Sequence, residues 1–130
     1  DRGQLIMACG TGKTLVAMWA FEKIAPRRTL VLAPSISLIA QNMREWTSNS
    51  TADFNYLPVC SDPTVEKKAN NDQSVSSLSE FGHPTTTNPD EIAAFLSEEG
   101  NRVIFSTYQS SMQVAKAINQ NGLKFDLVIN

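Results

Sequence analysis

The sequence predicts an α/β fold, a doubly wound parallel sheet with helices on both faces. Short apolar segments alternate along the chain with segments of helical periodicity. The apolar segments are continuously hydrophobic, which is typical of strands that are buried on both faces. Parallel strands joined by right-handed helical crossovers satisfy both observations. The length of 130 residues suits a single domain.

The first half of the chain contains three predicted strands. They cover residues 4–8, 28–34 and 54–60. We expect the third strand at an edge of the sheet, because Pro58 cannot donate a hydrogen bond to a neighbouring strand.

Two helices are predicted between these strands. The first covers residues 13–24 and carries only two charges after Lys13, so most of it is expected to be buried. The second begins at a cap on Ser35 or Ser37 and continues to about Thr47. The side chains expected in the core are Leu15, Ala17, Met18, Trp19, Ala20, Phe21 and Ile24 of the first helix, and Ile39, Met43 and Trp46 of the second.

Residues 61–90 differ in composition from the rest of the chain. Only five of these 30 residues are apolar, twelve are Ser, Thr or Asn, and two Lys against five acids give a charge of −3. Such a segment buries too little surface to offset the entropy of ordering it. We therefore predict a polar, flexible insertion.

Two helices and two strands are predicted after the insertion. Asn88 is expected to cap the first helix, with Pro89 at its first position and Glu91 closing a capping box, and Gly100 is expected to end it. The strands cover residues 102–107 and 125–129, and the helix between them covers residues 110–120. The side chains expected to face the sheet are Ile92, Phe95, Leu96, Val114, Ala115 and Ile118.

The composition excludes several classes of protein. A net charge of −2 excludes binding of nucleic acid by bulk charge, so any contact with phosphates must be local. No apolar run approaches the roughly 20 residues of a membrane span, and no secretory signal is recognisable. Two cysteines form neither a disulfide framework nor a zinc pattern. These features predict a cytoplasmic protein with no membrane partner.

The strongest chemical signal is the run Gly10, Thr11, Gly12, Lys13 and Thr14 between the first strand and the first helix. The glycines let backbone N–H groups approach phosphate oxygens, and the helix start adds its positive dipole end. Lys13 supplies a charge for the outer phosphates, and the Thr14 hydroxyl can bind Mg²⁺. The alternative is a strand–turn–helix junction whose glycines serve packing. The surrounding strands and helix favour the phosphate loop.

Four segments carry a family resemblance. IMACGTGKT, TLVLAPSISLIAQ, VIFSTYQS and FDLVIN resemble, in order and spacing, early motifs of superfamily 2 helicase-like ATPases, especially the DEAD/DEAH-type translocases of restriction and phage-defence proteins. The resemblance covers nearly the whole chain except 61–90. It implies a P-loop NTPase fold, namely an incomplete first RecA-like lobe. It also implies ATP and Mg²⁺ as cofactors, with Lys13 and Thr14 as catalytic residues, and DNA rather than RNA as the partner.

The resemblance implies a DNA path as well. Pro34 and Ser35 match a segment that contacts the sugar–phosphate backbone, and Thr107, Tyr108 and Ser110 match a second such segment. The alternatives are ordinary strand-to-helix turns, with Ser35 or Ser110 as caps and Tyr108 packed over the end of the sheet. Gln41 could be a DNA contact or a solvated side chain.

In the family, an Asp-Glu-x-His box follows the FDLVI strand, and a second RecA-like lobe supplies an arginine finger. We expect both in the rest of a longer parent chain, so the parent is predicted to be an ATP-dependent helicase or translocase and this part alone to be inactive. Two alternatives remain open. One is another P-loop class, such as a small-molecule kinase, and the other is a non-catalytic nucleotide- or nucleic-acid-binding lobe.

Overall fold

The computed structural model describes residues 13–61 and 85–130, with only the backbone of residues 13 and 14. Helices and strands alternate within these ranges. They are α1 Lys13–Ile24, β1 Arg28–Ala33, α2 Ile36–Asn49, β2 Asn55–Val59, α3 Pro89–Ser97, β3 Arg102–Thr107, α4 Ser111–Asn121 and β4 Leu127–Ile129. The predicted strand at 4–8 and most of the predicted insertion lie outside the described residues.

The four described strands form one parallel sheet in the order β2-β3-β1-β4. This confirms the predicted α/β class. Among the described strands, β2 lies at an edge as Pro58 indicated. Thr86 forms an isolated parallel bridge with Val59, and its N–H donates to the Pro58 carbonyl at 3.3 Å.

Helices pack on both faces of the sheet. α1 and α2 cover the face that carries Val31, Val103 and Phe105. α3 and α4 cover the opposite face, which carries Leu30 and Ile104. Alternate residues of the same strand therefore enter two separate cores, which is why the strands are hydrophobic throughout.

Trp46 occupies the centre of the first core and is fully buried. Its ring lies 5.1 Å from the ring of Phe21, 5.5 Å from that of Phe105 and 6.1 Å from that of Phe54. These aromatic contacts join α1, α2, β3 and the segment before β2. The prediction that Trp46 lies in the core is confirmed.

The prediction for Trp19 is wrong, because its side chain is 57% exposed. α1 buries Met18 and Phe21 against the sheet, while Ala20 and Ile24 face outward with Trp19. The helix is apolar around most of its circumference, so its periodicity does not fix which stripe faces the sheet. The backbone leaves α1 through Ala25 in a left-handed conformation with φ of 52°.

Two details of the later helices also differ from prediction. Glu91 does not close a capping box with the Asn88 N–H; it accepts a hydrogen bond from the Thr86 hydroxyl, whose oxygen accepts from the Asn88 N–H at 3.1 Å. In α4, Ala115 is exposed and Ala117 is buried instead, so the buried stripe is rotated toward Ala117.

The start of α3 follows the prediction, and its end does not. Asn88 caps α3 by accepting from the Asp90 N–H at 2.9 Å. α3 ends at Ser97 with Glu98 as its C-cap, so the prediction that Gly100 ends this helix is wrong. Gly122 ends α4 with a left-handed φ of 64°. Within 13–61 and 85–130 no helix is long and apolar enough to cross a membrane.

Candidate functional site

The carboxyl ends of β3, β1 and β4 lie side by side at one edge of the sheet. Ala33 pairs with Thr107, and Val31 pairs with Ile129, so all three strands end at nearly the same level. In open parallel α/β sheets, ligands bind in the crevice outside the carboxyl ends of the strands. This edge, which we call the carboxyl edge, is therefore the candidate site.

The turn between β1 and α2 contributes Pro34 and Ser35. Pro34 is exposed, and the Ser35 hydroxyl oxygen caps α2 by accepting from the Leu38 N–H at 3.3 Å. The capping role that was one alternative for Ser35 is thus present in the structure. The cap uses the hydroxyl as an acceptor, and its O–H can still donate to a phosphate.

The turn between β3 and α4 contributes Thr107, Tyr108 and Ser110. The Thr107 hydroxyl is buried and accepts from the Ser110 N–H at 3.3 Å. The Tyr108 N–H donates to the Ala33 carbonyl at 3.0 Å. This last bond ties the β3–α4 turn directly to the end of β1, so the two predicted DNA-contacting segments are neighbours.

Ser110 does not cap α4 through its side chain. It occupies the position before Ser111, where α4 begins, and its side chain makes no capping hydrogen bond. The capping alternative for Ser110 is therefore wrong. The Ser110 side chain is nearly buried beside Thr107, so it helps to shape the turn.

Tyr108 extends across the sheet edge. Its side chain is 48% exposed, and its hydroxyl donates to the Asn130 Oδ1 at 2.5 Å. Because β1 lies between β3 and β4, this side chain spans the end of the intervening strand. No sequence pattern identifies Asn130 as a partner of Tyr108, because the contact depends on the order of the strands in the sheet.

Gln41 lies away from this cluster of turns. Its side chain is exposed on α2 and its Nε2 donates to the Glu45 Oε1 at 3.3 Å. An i, i+4 bond of this kind is what a solvated helical glutamine makes.

The described side chains at the carboxyl edge are neutral hydroxyls and amides. Arg27, Arg28 and Arg102 lie at the opposite edge, where β1 and β3 begin. The Asp126 carboxylate accepts from the backbone N–H groups of Arg27 at 3.0 Å and Arg28 at 3.2 Å. The Arg28 Nε donates to the Leu96 carbonyl at 2.9 Å. Among the described side chains, those at the carboxyl edge can therefore bind a phosphate through hydrogen-bond donors.

The predicted phosphate loop is described only at its helical end. Gly10, Thr11 and Gly12 lie outside the described residues, as do the side chains of Lys13 and Thr14. α1 begins at Lys13 as predicted and spans 12 residues, about 18 Å. Only residues 25–27 separate its end from β1, so α1 runs back along the sheet and its first turn lies toward the carboxyl edge.

No three His, Cys, Asp or Glu side chains converge as metal ligands in the described ranges. The single described cysteine, Cys60, is buried and forms no disulfide.

Comparison with known proteins extends over the whole chain. The family described as Type III restriction enzyme, res subunit, matches residues 1–130. The probable helicase A859L of African swine fever virus is 30% identical over 129 residues, which are 99% of this chain and 13% of that protein. The chain thus spans 13% of the length of the curated relatives it matches.

Two solved structures of restriction enzymes are also similar. A nuclease-deletion mutant of the Type ISP restriction-modification enzyme LlaGI, in complex with a DNA substrate mimic, matches with a TM-score of 0.76 and 31% identity, covering 98% of this chain and 13% of that one. The ATP-dependent Type ISP enzyme LlaBIII bound to DNA matches with a TM-score of 0.73 and 30% identity, covering 98% of this chain and 9% of that one.

Proposed function

The chain belongs to the family of Type III restriction enzyme res subunits, and on this basis we propose that it is the ATP-binding part of a DNA translocase or helicase. In the parent protein, ATP hydrolysis would be coupled to movement along DNA as part of restriction-modification or phage defence. The observation that carries the proposal is the match to two DNA-bound restriction enzymes over 98% of the chain.

ATP and Mg²⁺ are assigned to the loop Gly10–Thr14. The fit rests on α1, which begins at Lys13 immediately after the last loop glycine. The first turn of a helix has N–H groups without helical partners, and these groups and the helix dipole favour a phosphate. Lys13 would hold the outer phosphates, and the Thr14 hydroxyl would bind Mg²⁺. The metal ion would neutralise charge that develops on the transferred phosphoryl group.

DNA is assigned to the carboxyl edge, at the turns that follow β1 and β3. Pro34 and Ser35 lie on the first turn, and Thr107, Tyr108 and Ser110 on the second. The Tyr108 N–H bond to Ala33 holds these two turns together at 3.0 Å. Hydroxyl and backbone N–H donors can bind phosphates without a net positive charge. This accounts for a DNA-binding lobe with a net charge of −2.

The remaining partners are proposed from the same family. The rest of the parent chain would supply a second RecA-like lobe and the groups that complete hydrolysis. We assign the parent to the cytoplasm because the two cysteines of this sequence are too few for a disulfide framework.

ATP turnover of the intact parent, with and without duplex DNA, tests the proposal. We expect DNA to stimulate turnover and Lys13→Ala to lower it by about 100-fold or more, since the lysine stabilises charge in the transition state. Lys23→Ala is the matched control, because Lys23 is exposed at the far end of the same helix.

Three results would contradict the proposal. Equal ATP affinity and turnover of the parent and Lys13→Ala would remove the phosphate loop assignment. Turnover that responds to a small-molecule phosphoryl acceptor and not to DNA would indicate a P-loop kinase. Absence of hydrolysis by the full-length protein would indicate a non-catalytic binding lobe.

A further inference from the structure

We propose that Tyr108 is a positioning residue that couples DNA contact at the β3–α4 turn to the position of the carboxyl end of β4. The inference rests on the proposed function for its role in ATP turnover. Its structural basis is independent of that function, because it lies in one backbone and one side-chain hydrogen bond that join Tyr108 to the ends of β1 and β4.

Tyr108 follows β3 and bonds to the ends of the adjacent strand β1 and of β4, the next strand beyond β1. Its backbone N–H donates to the Ala33 carbonyl at the end of β1, at 3.0 Å. Its hydroxyl passes beyond β1 and donates to the Asn130 Oδ1, one residue after β4, at 2.5 Å. A single residue thus connects all three ends.

The backbone of Tyr108 is held firmly by its own turn. The Ser111 hydroxyl donates to the Tyr108 carbonyl at 2.6 Å, and the Thr107 hydroxyl accepts from the Ser110 N–H at 3.3 Å. Together with the bond to Ala33, these contacts engage both the N–H and the carbonyl of Tyr108 in hydrogen bonds. The backbone from which the side chain extends is therefore held in place.

The contact with Asn130 adds a side-chain restraint at the end of β4. Asn130 follows Ile129, which pairs with Val31 of β1. The Tyr108 hydroxyl therefore holds the residue after β4 close to the level at which β1 and β3 end.

Tyr108 is an exposed residue of the turn that is assigned to DNA. Thr107 and Ser110 on the same turn are buried, whereas Tyr108 is 48% exposed. A sugar or phosphate that binds there contacts the ring, and any shift of the ring is passed to Asn130 through the hydroxyl. The end of β4 thereby responds to DNA although it lies one strand further along the sheet.

Tyr108→Phe, Asn130→Ala and the double variant of the intact parent test the coupling. ATP turnover is measured as a function of duplex DNA concentration. We expect Tyr108→Phe to lower turnover at saturating DNA by roughly two- to tenfold, the range of one net hydrogen bond, with little change in the half-saturating DNA concentration. The double variant should be no worse than the poorer single variant, because both remove the same bond. Met112→Ala is the control, since Met112 is exposed in the first turn of α4.

Amide hydrogen exchange of the same proteins gives a readout that does not depend on activity. We expect Tyr108→Phe to increase exchange at residues 128–130 by roughly two- to tenfold while exchange in β3 and α4 stays unchanged. This measurement decides the structural coupling even if the parent shows no DNA-stimulated turnover, in which case the proposed function alone fails.

Three results would overturn the inference. One is unchanged exchange at the end of β4 in Tyr108→Phe. Another is a raised half-saturating DNA concentration with unchanged maximal turnover, which would make the hydroxyl a direct DNA ligand. The third is a double variant in which the reductions in ATP turnover caused by Tyr108→Phe and by Asn130→Ala multiply, since this would show that the two residues act independently.

Discussion

Thr29 carries a buried polar atom for which the described part of the chain offers no partner. Thr29 lies in β1 and is fully buried, and its Oγ1 makes no hydrogen bond with residues 13–61 or 85–130. It pairs with Val103 and Leu127, so its side chain lies on the apolar face covered by α1 and α2. A buried hydroxyl without a partner lowers stability, because its hydrogen bonds to water are lost without replacement.

Thr29→Val should therefore raise the free energy of unfolding by about 1 kcal/mol, since valine keeps the shape and removes the unsatisfied hydroxyl. Urea denaturation measures the change. Thr107→Val is the matched control and should lower stability by up to about 1 kcal/mol, because the Thr107 hydroxyl accepts from the Ser110 N–H. Destabilisation by Thr29→Val would show that its hydroxyl has a partner.

Glu22 links α1 to the turn between α2 and β2. Its Oε1 accepts from the Thr51 N–H at 2.8 Å and from the Ser50 hydroxyl at 2.9 Å. These bonds, that from Thr51 foremost, lower the pKa of the Glu22 carboxyl from its ordinary value of 4.5. The pKa of Glu22 is higher in the unfolded chain, so the unfolded chain binds the proton more readily. Glu22 therefore contributes its whole stabilising effect at pH values above the unfolded pKa.

This part of the stability should be lost as the pH falls through the lowered pKa of folded Glu22. The glutamine of Glu22→Gln cannot ionise. The melting temperature of the protein with Glu22 should therefore exceed that of the variant at about pH 7, and the difference between the two melting temperatures should be smaller at about pH 3. A gap that is equal at both pH values would show that the carboxylate charge does not contribute. Glu99→Gln serves as a control, because Glu99 is exposed.

At the scale of elements, the start of α3 depends on a residue outside the helix. The Thr86 hydroxyl donates to Glu91 and accepts from the Asn88 N–H, while the Thr86 N–H bonds to Pro58 of β2. Thr86 thus fastens the cap of α3 to the edge strand of the sheet. The capping signal Asn88-Pro89-Asp90-Glu91 was readable because it is local. The participation of Thr86 depends on tertiary placement and was not.

Thr86→Val should lower the free energy of unfolding by about 1–2 kcal/mol, because the Asn88 N–H loses its acceptor and Glu91 loses a donor. Thr87→Val is a close control, since the neighbouring Thr87 is exposed. Circular dichroism during thermal unfolding can measure both. Equal melting temperatures for the two variants would rule out a role of the Thr86 hydroxyl in holding α3.

The positions of the helices and strands could be predicted well from the sequence. Which face of each helix packs against the sheet could be predicted less well. The eight predicted elements that fall within the described residues are present, because caps, prolines and apolar runs are local signals. Trp19 and Ala115 are among the residues whose burial was predicted wrongly. In α1 the apolar residues surround most of the helix, so several faces are equally suited to the core. In α4, Ala115 and Ala117 fit the apolar pattern equally well. Which stripe is buried depends on the sheet against which the helix packs.

At the scale of the whole molecule, strand order decides the site. Because the sequence predicts a parallel sheet, the turns after β1 and β3 belong at one edge, since parallel strands end on the same side. The sequence could not predict that β3 and β4 flank β1, and so it missed the contact of Tyr108 with Asn130. The roles of Pro34, Ser35, Thr107, Tyr108 and Ser110 in DNA binding, and of the loop Gly10–Thr14 in ATP binding, remain predictions.

The net charge of −2 fits this architecture. In the described part, arginines occupy the edge where strands begin, and neutral donors occupy the carboxyl edge. A lobe of this kind would guide DNA by fixed hydrogen bonds to its backbone and would carry no sequence information itself. Such contacts suit a protein that moves along DNA rather than one that stays at a single sequence.

The central claim is that the intact parent moves along DNA at the expense of ATP. Displacement of a third strand from triplex DNA in the presence of ATP tests this claim most directly. A protein that moves along the duplex removes the third strand at a time that increases with its distance from the entry point. We predict displacement by the parent and by Lys23→Ala, and none by Lys13→Ala or without ATP. Displacement that proceeds equally without ATP, or equally well in Lys13→Ala, would contradict an ATP-driven motor on DNA.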